Sequence, residues 1–385
     1  MSAPRATGGF ILRWGEAHLE PETYQRTLAA AAADLEHEVG ALASQGTPEA
    51  SAAARRLAAR ARWVYARVLL GAVAMDRQAA ARRVRWWVLL PACVAVLLGI
   101  LGGQLVASEA GVEPPPLVGT LVFLGVGATL GALMASTPRR ILEGEAPGAA
   151  WLAVVAVAVT GLVGVAAGGA SRWVRLGPLQ IQIATLAMPF IGLGLGALAA
   201  QRRRGQALAL LGAALAAMAL TADLASAIVV AALAVGIASH GEGARRAVPE
   251  TLALALVGVG LAGLADPILA PSLGSEGVLG LVVQSNFALG VLSFVALGLV
   301  AALPWGLWAQ ARRWRGPGSD PLALAPVVTL SASLLVPIAM APWVPSVLPL
   351  LGYGGSALVA SFLGLGAAMA LSPRAAGRAP HTASM

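Results

Sequence analysis

The chain has 385 residues, of which 58% are hydrophobic and 11% charged, and its mean hydropathy is +0.78. Soluble domains carry roughly 25% charged residues, so water is not the main solvent for this surface, and an ordinary soluble enzyme is excluded. The net charge of +8 comes from 26 basic residues against 18 acidic ones, and every basic residue is arginine; their placement along the chain reads as membrane topology rather than nucleic-acid binding.

Residues 1–85 hold twelve of the 26 basic residues and eight of the 18 acidic ones. Alanine-rich stretches with helical spacing, Leu28 to Leu42 and Ala52 to Ala74, predict a helical extension on the cytoplasmic side. The first apolar stretch is short and broken by Gly8, Gly9 and Arg13, which is unlike a signal peptide. The basic run Arg55, Arg56, Arg60, Arg62, Arg67, Arg82, Arg83 and Arg85 fits a solvated helical hairpin anchored by its positive charge, and it also fits contact with anionic lipid or an acidic partner.

From Trp86 onward the chain is a series of apolar segments of about 20 residues, the length that spans a bilayer as a helix. Their cores, near 86–107, 117–135, 149–168, 181–200, 206–222, 223–239, 249–270, 287–310, 322–341 and 348–371, predict an all-α polytopic membrane protein with about ten transmembrane helices. The domains expected are a helical extension over 1–85, a transmembrane domain over 86–372 and a tail over 373–385. Arg139, Arg140, Arg202, Arg203, Arg204, Arg245, Arg246, Arg312, Arg313, Arg315, Arg374 and Arg378 all fall on one side of that arrangement. Both termini are then cytoplasmic by the positive-inside rule. A lone cysteine, Cys93, and four scattered histidines, His18, His37, His240 and His381, leave no basis for a disulfide, a metal site or another cofactor.

Two arginines break the charge rule. Arg172 and Arg175 flank Trp173 in the loop running from Gly168 through Gly177 and Pro178 to Gln182, on the outer side. The pattern fits an ordered loop that holds an anionic group, and equally an interfacial anchor with Trp173 in the headgroup belt. Further on, Asp223 opens a span, where it serves either as a functional carboxylate or as a helix cap. The run Tyr353, Gly354, Gly355 and Ser356 at the mouth of the last span places exposed backbone and a hydroxyl where unsatisfied polar groups are costly, which points to a polar guest.

These segments resemble the SEDS proteins of shape, elongation, division and sporulation, the FtsW/RodA/SpoVE family. Arg172, Trp173, Leu176, Gly177, Pro178 and Gln182 match the family's Lys-Arg-Trp-Ile-Asp-Leu-Gly-Pro-Phe-x-x-Gln stretch in register. Ala222 to Ala227 is similar to Gln-Pro-Asp-Leu-Gly-Thr-Ala, and Pro342, Pro349, Tyr353, Gly354, Gly355 and Ser356 match the family's last motif. The resemblance implies a ten-span fold and binding of lipid II, the polyprenyl-linked peptidoglycan precursor, with Arg172 for the pyrophosphate. It further implies Trp173, Arg175, Asp223, Tyr353, Gly354, Gly355 and Ser356 near the substrate, the inner membrane of a bacterium as location, and a class B penicillin-binding protein as partner among the membrane lipids.

The chain departs from the family where the chemistry sits. Aligned on Phe287, the family's essential aspartate before the eighth span falls on Asn286, and aligned on Leu297, Gly298 and Leu299 it falls on Phe287; neither an amide nor a phenyl ring is a general base at neutral pH. A glutamate and a lysine three residues apart become Thr185 and Met188, and a further Gly-Glu-Glu becomes Phe294, Val295 and Ala296. Three readings follow. One is a silent relative that binds lipid-linked precursor or partner proteins. Another is an active lipid II glycosyltransferase whose catalytic base is Asp266 or Glu276 in the shortened outer loop. The third is a lipid or small-molecule transporter, raised by glycine-rich spans such as the one with Gly192, Gly194 and Gly196, a pattern that also serves helix packing.

Overall fold

The computed structural model describes residues 4–19, 21–81, 117–167, 170–176, 179–240, 244–265, 320–340 and 355–371, with short pieces at 89–97 and 305–309. The expected spans near 86–107 and 287–310 lie mostly outside these residues. So do Asp266, Glu276, Asn286, Tyr353, Gly354 and the tail over 373–385.

The chain divides into two units, one of Met1–Val84 with Ser136–Leu142, the other of Arg85–Ala135 with Glu143–Met385. In the first, α1 (Pro4–His18) and the short α2 (Pro21–Tyr24) lead through a π-helical turn, Gln25–Ala29, into α3 (Ala30–Ser44) and the long α4 (Pro48–Ala81). The start of α4 is written in the sequence: the Thr47 hydroxyl accepts from the Ala50 amide at 3.2 Å, Pro48 occupies the first helical position and Glu49 follows in the first turn. One face of α4, carrying Leu57, Ala61, Tyr65, Val68 and Ala72, packs with Leu12, Leu19, Leu28, Ala32 and Leu35 into a small core. At the end of α1, the Arg140 guanidinium donates to the carbonyls of Glu16 and Leu19 at 3.3 and 3.5 Å, where a helix leaves acceptors unpaired.

The second unit is built from α5 (Leu117–Ala135), α6 (Arg139–Val163, whose first residues belong to the first unit), α7 (Ile183–Ala200), α8 (Arg204–Leu220), α9 (Leu224–His240), α10 (Ala244–Ala265), α11 (Pro321–Met340) and α12 (Gly355–Leu371). Three of its helical segments, Arg139–Val163, Ile183–Ala200 and Ala247–Leu264, are long and apolar enough to cross a membrane, and five shorter apolar helices accompany them among the described residues. Leu152, Val155, Val159 and Leu162 on α6, and Leu256, Val257, Leu261 and Leu264 on α10, stand exposed as continuous apolar stripes. In water such faces would drive aggregation, whereas hydrocarbon is their natural solvent.

Glycines set how closely these helices approach. Gly127 and Gly131 of α5, four residues apart, lie against Phe362 of α12, with the Phe362 carbonyl oxygen only 2.6 Å from where a Gly131 side chain would begin. Along α7, Gly192 meets Thr329, Gly194 meets Ala150 and Gly196 meets Ala325. The glycines that raised the transport reading are thus packing surfaces for α11 and α6, as expected where lipid supplies no hydrophobic force between helices. The core of this unit runs through Val157, Met188, Ile191, Leu195, Leu211, Leu215 and Leu233.

The helices follow the expected spans with two differences. The span expected over 149–168 ends as a helix at Val163, and the one expected from 181 starts at Ile183. Between them the chain forms a small antiparallel sheet, β1 (Val165–Ala167), β2 (Ala170–Leu176) and β3 (Leu179–Gln182), in that spatial order. Apolar composition alone did not separate strand from helix here, because a run of four to seven residues is too short to show its period.

Candidate functional site

Three segments far apart in sequence meet at Gln182. It ends β3, is the residue from which α7 starts, and holds an extended backbone with φ −88° and ψ 102°. Its backbone amide donates to the Ser356 hydroxyl at 2.9 Å, and its side-chain amide donates to the Asp223 carboxylate at 3.1 Å. Asp223 also accepts from the Ser226 amide at 3.0 Å and the Ser226 hydroxyl at 2.8 Å.

Local rules account for each partner. Helix α8 ends in a paired turn in which the Asp223 amide donates to the Met218 carbonyl and the Ala222 amide to that of Ala219, with Ala222 in the left-handed region at φ 50°. That turn delivers Asp223 to the start of α9, where its carboxylate caps the exposed amide of Ser226 and sits at the positive end of the helix dipole. Ser356 lies in the first turn of α12, and the preceding Gly355 abuts the Phe123 ring of α5, leaving no room for a side chain. Asp223 and Ser356 are 1% and 2% exposed while Gln182 is half-buried, and the Asp223 carboxyl accepts three hydrogen bonds there.

The structure therefore brings together Asp223, Ser356 and the β2–β3 hairpin. Arg172, Trp173 and Arg175 lie on β2, whose Trp173 pairs in register with Gln182 and whose Arg175 pairs with Gln180; the description of these three residues stops at the backbone. Gln182 and Ser226 were not among the residues singled out for the site. Gln182 carried a signal as part of a motif, and Ser226 carried one as the third residue after a capping aspartate.

Thr185 and Met188 sit one turn into α7. Met188 is buried in the apolar core with Ile191 and Leu195. The position where the family resemblance implies a lysine is thus filled by hydrocarbon, and burying one charge alone there would be costly.

At the opposite end of α7 is a cavity of about 440 Å³, lined mainly by apolar residues such as Leu195, Leu208, Leu211 and Ile237, with Arg202 and Arg204 contributing charge. Arg204 forms an ion pair with Glu250 of α10. None of the motif residues lines this cavity. Among the described residues no cluster of three or more histidine, cysteine or carboxylate side chains could hold a metal ion.

Lipid-facing apolar stripes, helices of spanning length and glycine-tight packing define an integral membrane protein of the all-α, polytopic class. Within that class, its structural relatives are SEDS proteins: the rod-shape-determining protein RodA of Thermus thermophilus matches with a TM-score of 0.53 and 26% identity, over 74% of this chain and 96% of that one. An aspartate-to-alanine variant of the same RodA matches with a TM-score of 0.54 and 25% identity over the same shares. A chain from a peptidoglycan synthase complex, whose structure concerns the coordination of polymerization and crosslinking, matches with a TM-score of 0.54 and 26% identity, over 74% of this chain and 97% of that one. No protein-family model matches the chain, and no curated protein matches it. The chain is a divergent SEDS-like protein with a RodA-like fold.

Proposed function

We propose that this protein serves peptidoglycan synthesis as a catalytically silent SEDS-type membrane protein, binding lipid-linked precursor or a partner membrane protein without polymerising glycan. The observation that carries the reading is the cluster at Gln182, in which residues of all three SEDS-like motifs share one hydrogen-bond network. A retained scaffold with an apolar Met188, and with Asn286 standing for the family's aspartate, is what remains when binding is kept and general-base chemistry is dropped. The partner class is a penicillin-binding transpeptidase, by analogy with the synthase complex that the chain resembles.

On this reading residues 1–85 and 373–385 face the cytoplasm, the hairpin with Arg172 faces outward, and the membrane domain over 86–372 is the part that corresponds to RodA. The arginine asymmetry supports that orientation. The glycines of α7 give transport no specific support, since each packs against a neighbouring helix.

A polymerisation assay with purified protein, lipid II and the cognate transpeptidase tests the proposal. The wild-type protein is expected to give background product, and Asn286→Asp alone is expected not to restore synthesis, because Thr185 and Met188 replace the charged pair that would organise the site. General-base catalysis is worth on the order of 10²–10⁴ in rate, a gap the assay resolves easily. Robust wild-type synthesis that Asp266→Ala or Glu276→Ala abolishes would overturn the silent reading in favour of an enzyme with a relocated base.

A further inference from the structure

We propose that the outward face of α4 lies on an anionic phospholipid bilayer surface. With 100° per residue, Arg56, Arg60, Trp63, Arg67 and Leu70 fall on one narrow face, directly opposite the Leu57, Ala61, Tyr65, Val68 and Ala72 face that packs into the core. The helix is therefore two-sided in an unusual sense, since the side turned away from its own core carries large apolar groups as well as charge. Trp63 is 81% exposed and Leu70 is 72% exposed, and Arg56, Arg60 and Arg67 on the same face are exposed too.

Charge selects the occupant. From Ser51 to Met75 the helix has five arginines and no acidic residue, so the face has one sign. Among the described residues no ion pair engages Arg56, Arg60 or Arg67. The described acidic residues of the same unit lie outside this stretch: Glu16 on α1, Glu22 on α2, Asp34, Glu36 and Glu38 on α3, and Glu49 and Asp76 toward the two ends of α4. Arginines alternating with tryptophan and leucine at three- and four-residue spacing suit the headgroup region, where the ring enters the interface and the guanidinium groups meet lipid phosphates. An acidic protein would satisfy the arginines but leaves the exposure of both Trp63 and Leu70 without a purpose. Only four residues lie between Ala81 and Trp86, where the long apolar segments begin, so a bilayer is always in reach by chain length.

The test uses the full chain in nanodiscs, with Cys93→Ala as background and an environment-sensitive fluorophore on Trp63→Cys or, separately, on Leu70→Cys, which retains the tryptophan. In discs containing phosphatidylglycerol at low salt, both labels are expected to shift to the blue and resist an aqueous quencher. In pure phosphatidylcholine, or near 1 M salt, where screening acts within about 3 Å, that protection is expected to vanish. Replacing Arg56, Arg60 and Arg67 together by glutamine should lower the bilayer-bound to free ratio by about 100-fold in anionic discs. A label on Ser44→Cys, at the C-terminal end of α3, should stay open to quencher throughout. Labels at 63 and 70 that quench freely in anionic discs would overturn the proposal, as would protection that is the same in every lipid or that appears only when a second protein is added.

Discussion

A buried aspartate at a helix start has two very different meanings, and at Asp223 the hydrogen bonds spell out how the side chain is held. Its carboxylate accepts from Gln182 and twice from Ser226, so the residue caps α9 while tying it to β3. Removing it would leave the buried Ser226 donors and the half-buried Gln182 amide without this acceptor. Asp223→Ala is expected to lower stability by about 1–3 kcal/mol, whereas Ser226→Ala, which leaves the cap to the backbone amide, should cost about half as much. Thermal unfolding in a fixed detergent measures the difference; equal losses for the two variants would show that the cap, and not the link to Gln182, carries the effect.

Helices in this protein end by one repeated device and pack by another. Both α7 and α8 close with paired-turn caps that place a non-glycine residue in the left-handed region, Arg202 at φ 57° and Ala222 at φ 50°. Glycine adopts this conformation without the side-chain clash, so Ala222→Gly is expected to raise stability by about 0.5–1 kcal/mol despite removing a methyl group. Gly131 is the opposite test. A side chain there meets the backbone of Phe362 on α12, which cannot swing aside as a flexible side chain would. Gly131→Ala should therefore lower the melting temperature where Ala222→Gly raises it, and the same sign for both would contradict the packing described for α5 and α12.

At the scale of the whole molecule, the arginine asymmetry supports the proposed orientation, with both termini on the cytoplasmic side. A thiol at Ser171→Cys, on β2, should react with an impermeant reagent from outside in a Cys93-free background, and one at Ser319→Cys should not. The reversed pattern would invert the topology and, with it, the placement of the Gln182 cluster on the outer side. The same experiment bears on function, since a site for polyprenyl-linked precursor used in wall synthesis has to open outward.

Much of this was legible along the chain. Composition determined the membrane class, because a surface with so few charges has no stable state in water, and 20-residue apolar periods located the helices because bilayer thickness sets their length. The Asp-x-x-Ser start of α9 and the Thr-Pro-Glu start of α4 could also be read locally, since caps act over three residues. The joining of Gln182 to Asp223 and Ser356, 41 and 174 residues away, was decided only in three dimensions. So were the sheet at β1–β3 and the basic, tryptophan-bearing face that α4 turns outward. Periodicity states which residues share a face of one element, but what that face meets depends on packing between elements, where the contacts are set by shape and by the satisfaction of buried polar groups.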